Sequence, residues 1–259
     1  MLLALVVTSA AHAADPLNTI RAFCQADGRG ARVDPIGWLK IADLVTWRLE
    51  PAWDHLYLIR GFELATPQIR DGEVEVAVQY TVTAEVRSNV VTQEVRVDTR
   101  TYRLVRGGDG AWRMRAPPPP PYLFESDVDD EALAALLGPG SSYVSNSAFV
   151  WGLLRDAGWA MSYADTAAIA AAPDFTTERS GNVGDLVLYY DGEQPYHVGV
   201  VESEDTVVSA TLNGGIRRTP FGAFAGEIKY RRPIASARAT PTPEPKPTPA
   251  PRARKGHPR

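Results

Sequence analysis

The chain has 259 residues, a formal net charge of −4, one Cys and four His, and 44% of its residues are hydrophobic. That length exceeds one ordinary domain, and the apolar fraction supports well-formed cores. The negative balance gives no support to a nucleic-acid partner, and a single Cys without a Cys/His cluster points to no metal or other cofactor.

Residues 1–13 read as an export signal: 2–7 is an apolar run and Ala11-His12-Ala13 is a small-x-small cleavage pattern. The alternative is a short buried N-terminal segment. The run is too short to cross a bilayer, so no transmembrane span is expected. Export to the periplasm or the extracellular side fits a chain with almost no thiols.

Residues 15–116 form the first expected domain. The spacing over 17–26 predicts a helix with Ile20, Phe23 and Cys24 on one face, and 36–49 predicts a second helix ended by Pro51. Strands are expected over 56–64 and 73–86, the latter with Val74, Val76, Val78, Tyr80, Val82, Ala84 and Val86 on one face. In the third strand Val95 and Val97 occupy odd positions, whereas Tyr102 and Leu104 occupy even ones; this phase change predicts a β-bulge. Gly107-Gly108-Asp109-Gly110 is a hairpin turn, after which Trp112 and Met114 alternate. Helices followed by a curved antiparallel sheet make an α+β domain.

The hairpin Tyr102-Arg103-Leu104-Val105, turn, Trp112-Arg113-Met114 resembles the last hairpin of SnoaL-like domains, α+β cones related to nuclear transport factor two. The resemblance implies a pocket or a dimerisation face, which Asp54, Arg60, Glu63, Arg96 and Arg100 would line; the alternative for each is a solvated outer face. Cys24 reads as a buried small hydrophobe, with a nucleophile working beside His55 as the alternative.

Residues 117–125 read as a Pro-rich linker, in which the run Pro117–Pro121 is either a stiff spacer or a packed strap. Ser126 then precedes Asp127, Asp129, Asp130 and Glu131, an acidic first turn that predicts a helix. The spaced oxygen ligands and glycine turn of a calcium loop are missing.

The second expected domain covers 126–236. Residues 145–158 predict a helix, with Phe149, Val150, Leu153, Leu154 and Ala157 facing a core, Asn146 as a good cap and Gly158 at the left-handed end. Residues 184–190, 197–201 and 207–210 read as buried strands, and 163–172 as a further helix stopped by Pro173. A helix start, a strand carrying one His and a further strand with a polar residue are the parts of a papain-like site.

The runs Ser145-Asn146-Ser147-Ala148-Phe149-Val150, Gly184-Asp185-Leu186-Val187 and His197-Val198-Gly199 resemble the NlpC family of cell-wall endopeptidases. The resemblance covers residues 141–233. It implies a papain-like fold and cleavage of amide bonds in peptidoglycan stem peptides. It also implies that the nucleophile position, a Cys in the family, falls on Asn146, the base on His197 and the third polar residue on Ser209.

The chemistry needs a thiolate at the helix start, and a carboxamide has no ionisable group to offer. The expectation is therefore an exported pseudoenzyme that binds a peptidoglycan peptide or a cell-envelope protein. The alternative is an active endopeptidase or amidase in which Ser147 or Ser145 attacks with His197 as base. Tyr143, Trp151, Trp159, Tyr189 and Tyr196 are read as core aromatics, or else as stacking surfaces for a peptide or sugar. Arg217 and Arg218 are strand-edge charges or partners for a ligand carboxylate. Residues 237–259 form a Pro-rich basic tail that cannot bury a core; it either touches anionic envelope polymers or lipid headgroups, or simply solubilises the chain.

Overall fold

The computed structural model describes residues 15–87, 90–128, 144–160 and 162–234. The export signal, the acidic helix beyond Val128, Tyr143 and the Pro-rich tail lie outside the described residues.

Asp15 opens helix α1 (Pro16–Gly28) by accepting the N–H of Leu17, and Pro16 stands where no helical N–H is needed. Ile20, Phe23 and Cys24 are buried, as their spacing requires. The second helix expected over 36–49 is not formed. Two short 3-10 turns, Gly37–Lys40 and Ala42–Leu44, replace it, and Ile36 and Leu39 stay exposed. The reason is tertiary: Val45 bridges Met114 and the Thr46 N–H bonds the Met114 carbonyl, which draws the chain into an extended path.

The first sheet contains β1 (His55–Leu64), β2 (Gln68–Arg70), β3 (Glu73–Arg87), β4 (Val90–Arg106), β5 (Trp112–Met114) and β6 (Tyr122–Phe124). Its order is β5-β4-β3-β1-β6, with β2 also on β3. All seven alternating apolar residues of β3 are buried. Between Val82 and Ala84 of β3, the partners on β4 run from Arg96 to Gln93, so the third long strand carries a bulge at that point. From Val97 to Tyr102 the pairing is unbroken, so the phase change there marks no bulge; Val95 and Val97 simply lie on the exposed face of the sheet. A second irregularity sits in β1 around Ile59. Bulges add local bend and twist, and the sheet curls as a half-barrel over α1.

Packed side chains fill the hollow. Tyr80 and Tyr122 stack at 3.9 Å, the Tyr80 and Tyr102 hydroxyls are 2.7 Å apart, and Cys24 Sγ is 3.2 Å from the Tyr80 hydroxyl. The run Pro117–Pro121 takes the strap alternative rather than that of a free spacer. Its carbonyls accept hydrogen bonds from Arg32 and from the Tyr57 N–H, and β6 then pairs parallel to β1. Prolines donate no backbone hydrogen bond but accept like any residue, which suits them to this edge.

The second sheet contains β7 (Phe175–Glu178), β8 (Leu186–Asp191), β9 (Gln194–Val201), β10 (Thr206–Thr211), β11 (Gly215–Pro220) and β12 (Glu227–Pro233). It is antiparallel, in the order β11-β10-β9-β8-β12-β7. Helices α2 (Asn146–Asp156) and α3 (Thr166–Ala171) cover one face, where Val150, Leu154 and Ile169 meet Leu186, Leu188 and Val198. α2 buries a narrower stripe than expected, because Leu153 is 40% exposed and Ala157 faces solvent. The mixed α+β character expected for the chain holds in both halves.

Gly226 holds a tight crossing before β12. Its φ is +103°, and an added Cβ would lie 2.0 Å from the Tyr190 carbonyl oxygen. Gly226→Ala should destabilise the protein by about 3 kcal/mol, through a backbone clash and a φ that L residues avoid. Denaturant unfolding measures this; parent-like stability would mean that the crossing is not held in solution.

Candidate functional site

The segment Glu50 to Asp54, which precedes β1, joins the two halves. Pro51 bridges Thr211, the Ala52 N–H bonds Ala210, and the Leu212 N–H bonds the Glu50 carbonyl. β11 occupies one side of β10, and β9 pairs with it only at Val207 and Val208. The segment therefore takes the β9 side of β10, where β9 has diverged. Trp53 is fully buried beneath the second sheet with Tyr189, Val201 and Phe224.

The segment ends on the start of α2. The cap of that helix is Ser145 and not Asn146: the Ser145 hydroxyl accepts the Ala148 N–H at 3.2 Å. The first N–H groups of a helix lack partners within it. That of Asn146 donates to the Ala52 carbonyl at 2.7 Å. This frees the Asn146 side chain to turn inward, where its amide lies 3.3 Å from His197 Nδ1 and 3.5 Å from the Tyr196 carbonyl.

Thr166, at the start of α3, links this pair to Asp54. Asp54 Oδ2 accepts the Thr166 N–H at 2.7 Å and its hydroxyl at 2.5 Å, while Asp54 Oδ1 is 3.3 Å from His55 Nδ1. The one hydroxyl proton also faces Asn146 Oδ1 at 2.9 Å. Turning the Asn146 carboxamide over resolves the competition. Nδ2 then donates to Thr166, the hydroxyl donates to Asp54, and Oδ1 accepts from His197 Nδ1–H. Burial by itself would push the Asp54 carboxyl up; the hydrogen bond and charge of His55, with the two Thr166 donors, hold it below the ordinary value.

His197 is completely buried, and its ring lies 3.9 Å from that of Phe224 and 5.7 Å from that of Tyr189. Burial lowers its pKa to about 3, against a small opposing effect of Asp54, so the imidazole is neutral at physiological pH. Ser209 shares its sheet face: Gly199 stands beside Ser209 across β9 and β10, where an added Cβ would come within 3.1 Å of the Ser209 Cβ. His197 Nε2 and Ser209 Oγ are both buried, and among the described residues neither has a hydrogen-bond partner.

The structure thus brings Asn146 to His197 and sets Ser209 on the next strand without a hydrogen bond to it. Ser147 lies 3.0 Å from the Tyr163 hydroxyl and 3.4 Å from Ser145, and neither serine bonds to His197. Asn146, Ser147, His197 and Ser209 all have 0% exposure. The imidazole faces an amide that has no acidic proton to surrender, and no bulk solvent reaches it.

The other candidate positions disperse. Cys24 bonds to Tyr80 whereas His55 faces Asp54, and burial pushes the Cys24 thiol up to about 12. Arg60 pairs with Glu125, Arg96 lies over the Tyr57 ring, and Arg100 holds Asp98 and Tyr122, whereas Asp54 is buried at the seam. Of these residues Arg100 borders a small cavity together with His55 and Tyr57. Tyr189 and Tyr196 are core residues, and Arg218 pairs with Glu202 at the surface.

Sequence reading missed the roles of Ala52, Asp54 and Thr166 here. It also missed Glu50, whose carboxylate gathers Arg32, Trp47 and Trp53. The equal spacing of Trp47, Glu50 and Trp53 was the available signal, an acid flanked symmetrically by two indole donors. Among the described residues no group of three His, Cys, Asp or Glu is arranged to hold a metal ion, and no helix is long and apolar enough to cross a membrane. Comparison of the chain with protein-family models, with curated proteins and with solved structures finds no match.

Proposed function

We propose that this chain is an exported, non-hydrolytic relative of the NlpC endopeptidases, with a papain-like second half and a SnoaL-like first half, and that it acts by binding a cell-envelope partner. One observation carries this reading: the Ala52 carbonyl sits on the N–H of Asn146, at the helix start where a hydrolase of this layout would receive the carbonyl of its substrate. The chain's own segment fills that place, beside an amide instead of a thiol and an imidazole held neutral. Occupation of the cleft favours an envelope protein at the surface over a stem peptide in the cleft.

Incubating the purified full chain with peptidoglycan tests the reading. No free amino groups should be released, with or without His197→Ala. Release that His197→Ala abolishes would favour the serine-dependent enzyme and overturn the proposal. Asn146→Cys should not restore hydrolysis, because the introduced thiol stays buried under Ala52 and Trp53. Alkylation by iodoacetamide in the native state should be negligible; rapid alkylation coupled to amine release would show an open cleft.

A further inference from the structure

We propose that the groove at the seam of the two halves is a binding site for a long-chain aliphatic carboxylate. This does not depend on the relation to endopeptidases. The groove has a volume of about 650 Å³, and four separate stretches build it, around residues 46–49, 116–118, Tyr196 and 220–225. Trp47, Leu49, Pro118, Tyr196 and Phe224 provide its apolar walls.

The polar groups of the walls are mostly committed already. The Trp47 indole N–H donates to Glu50, the Tyr196 hydroxyl donates to the Ala225 carbonyl, and the Thr46 hydroxyl accepts the Ala116 N–H. Arg48 is the only charged residue in the lining, and among the described residues no ion pair with a carboxylate is formed by it. Glu50, two residues away, is spent on Arg32 and the two indoles.

A ligand entering this groove therefore meets hydrocarbon and ring faces along its length and a single cationic residue, the exposed Arg48, which also borders a neighbouring cavity. A peptide would bring amide groups that these walls cannot satisfy, and burying them unpaired is costly. An aliphatic tail asks only for apolar contact, and a carboxylate head suits the planar fork of Arg48. The same groove shares Phe224 with the buried imidazole of His197, so the ligand would lie against the outer wall of the sealed site.

Titrating the full chain with dodecanoate and with dodecanol, below micelle formation and followed by calorimetry, tests the proposal. Dodecanoate should bind saturably at one site, about tenfold more tightly than dodecanol. Arg48→Gln, at an exposed position, should remove that preference and leave dodecanol binding unchanged. Ala223→Trp, checked for folding by circular dichroism, should abolish binding of both. No saturable dodecanoate binding, equal binding of the alcohol, or a preference that survives Arg48→Gln would each overturn the proposal. So would tighter binding of the dipeptide Trp-Leu, which would assign the groove to peptides.

Discussion

Glu50→Ala should lower the unfolding free energy by about 4 kcal/mol or more, the largest single loss expected from any position at the seam. Glu50 and Arg32 are both 0% exposed. The Glu50 carboxylate accepts from Arg32 at 2.8 Å, from the Trp47 indole at 2.7 Å and from the Trp53 indole at 2.5 Å. The Arg32 guanidinium also bonds the Pro119 carbonyl and lies 5.1 Å from the centroid of the Trp53 ring. Removing the carboxylate leaves the buried Arg32 cation with Asp27, at 3.6 Å, as its remaining counter-charge, and strips two buried indole N–H groups of their acceptor. The same residue's backbone accepts from Leu212, so the loss falls where the two halves are tied. Denaturant unfolding followed by tryptophan fluorescence measures it. In the double variant Arg32→Met, Glu50→Leu the guanidinium leaves together with the Glu50 carboxylate, the buried Asp27 carboxyl can keep its proton, and part of the stability should return. A loss below about 1 kcal/mol for Glu50→Ala would show that the network does not hold the seam.

The second large effect is a pH dependence. Burial raises the Asp27 carboxyl to about 7, and the Arg32 charge offsets this only in part. Below about pH 4 the folded and unfolded chains both hold this proton, so stability is not affected. From about pH 4 to 7 the unfolded carboxyl ionises while the folded one keeps its proton, and stability falls as pH rises. The total is about 4 kcal/mol, reached near neutrality. His197 acts in the opposite sense. Its depressed folded pKa of about 3 means that stability is complete above the ordinary imidazole range and is lost as pH falls towards 3. The two windows overlap, so the parent profile is a difference of slopes. The comparison with Asp27→Asn isolates the carboxyl: the variant should gain on the parent steadily between pH 4 and 7. A difference that stays flat across that interval would show that Asp27 ionises normally in the folded chain.

Much of the architecture was legible locally. The alternation of β3, the turn at Gly107–Gly110 and the capped helix α1 follow from period, propensity and turn chemistry, whereas the bulge of β4 sits at Gln93–Arg96 and not at the phase change that suggested one. The segment 36–49 was misread because its helical periodicity is real but weaker than the pull of Met114 on Val45 and Thr46. Asn146 was misread as a cap for a related reason. Ser145 and Asn146 cap equally well in isolation, and only the carbonyl of Ala52, far earlier in the chain, decides which one turns inward.

By itself the sequence determined that a helix start bearing Asn146 and a strand bearing His197 would be built, because both elements are specified by residues within one or two turns of themselves. It also determined that no thiol would stand at that helix start. Only the tertiary structure decided that the place would be filled. Glu50 to Asp54 meets α2 and β10 through backbone hydrogen bonds, which any residues can make and which therefore leave no mark on the order of side chains.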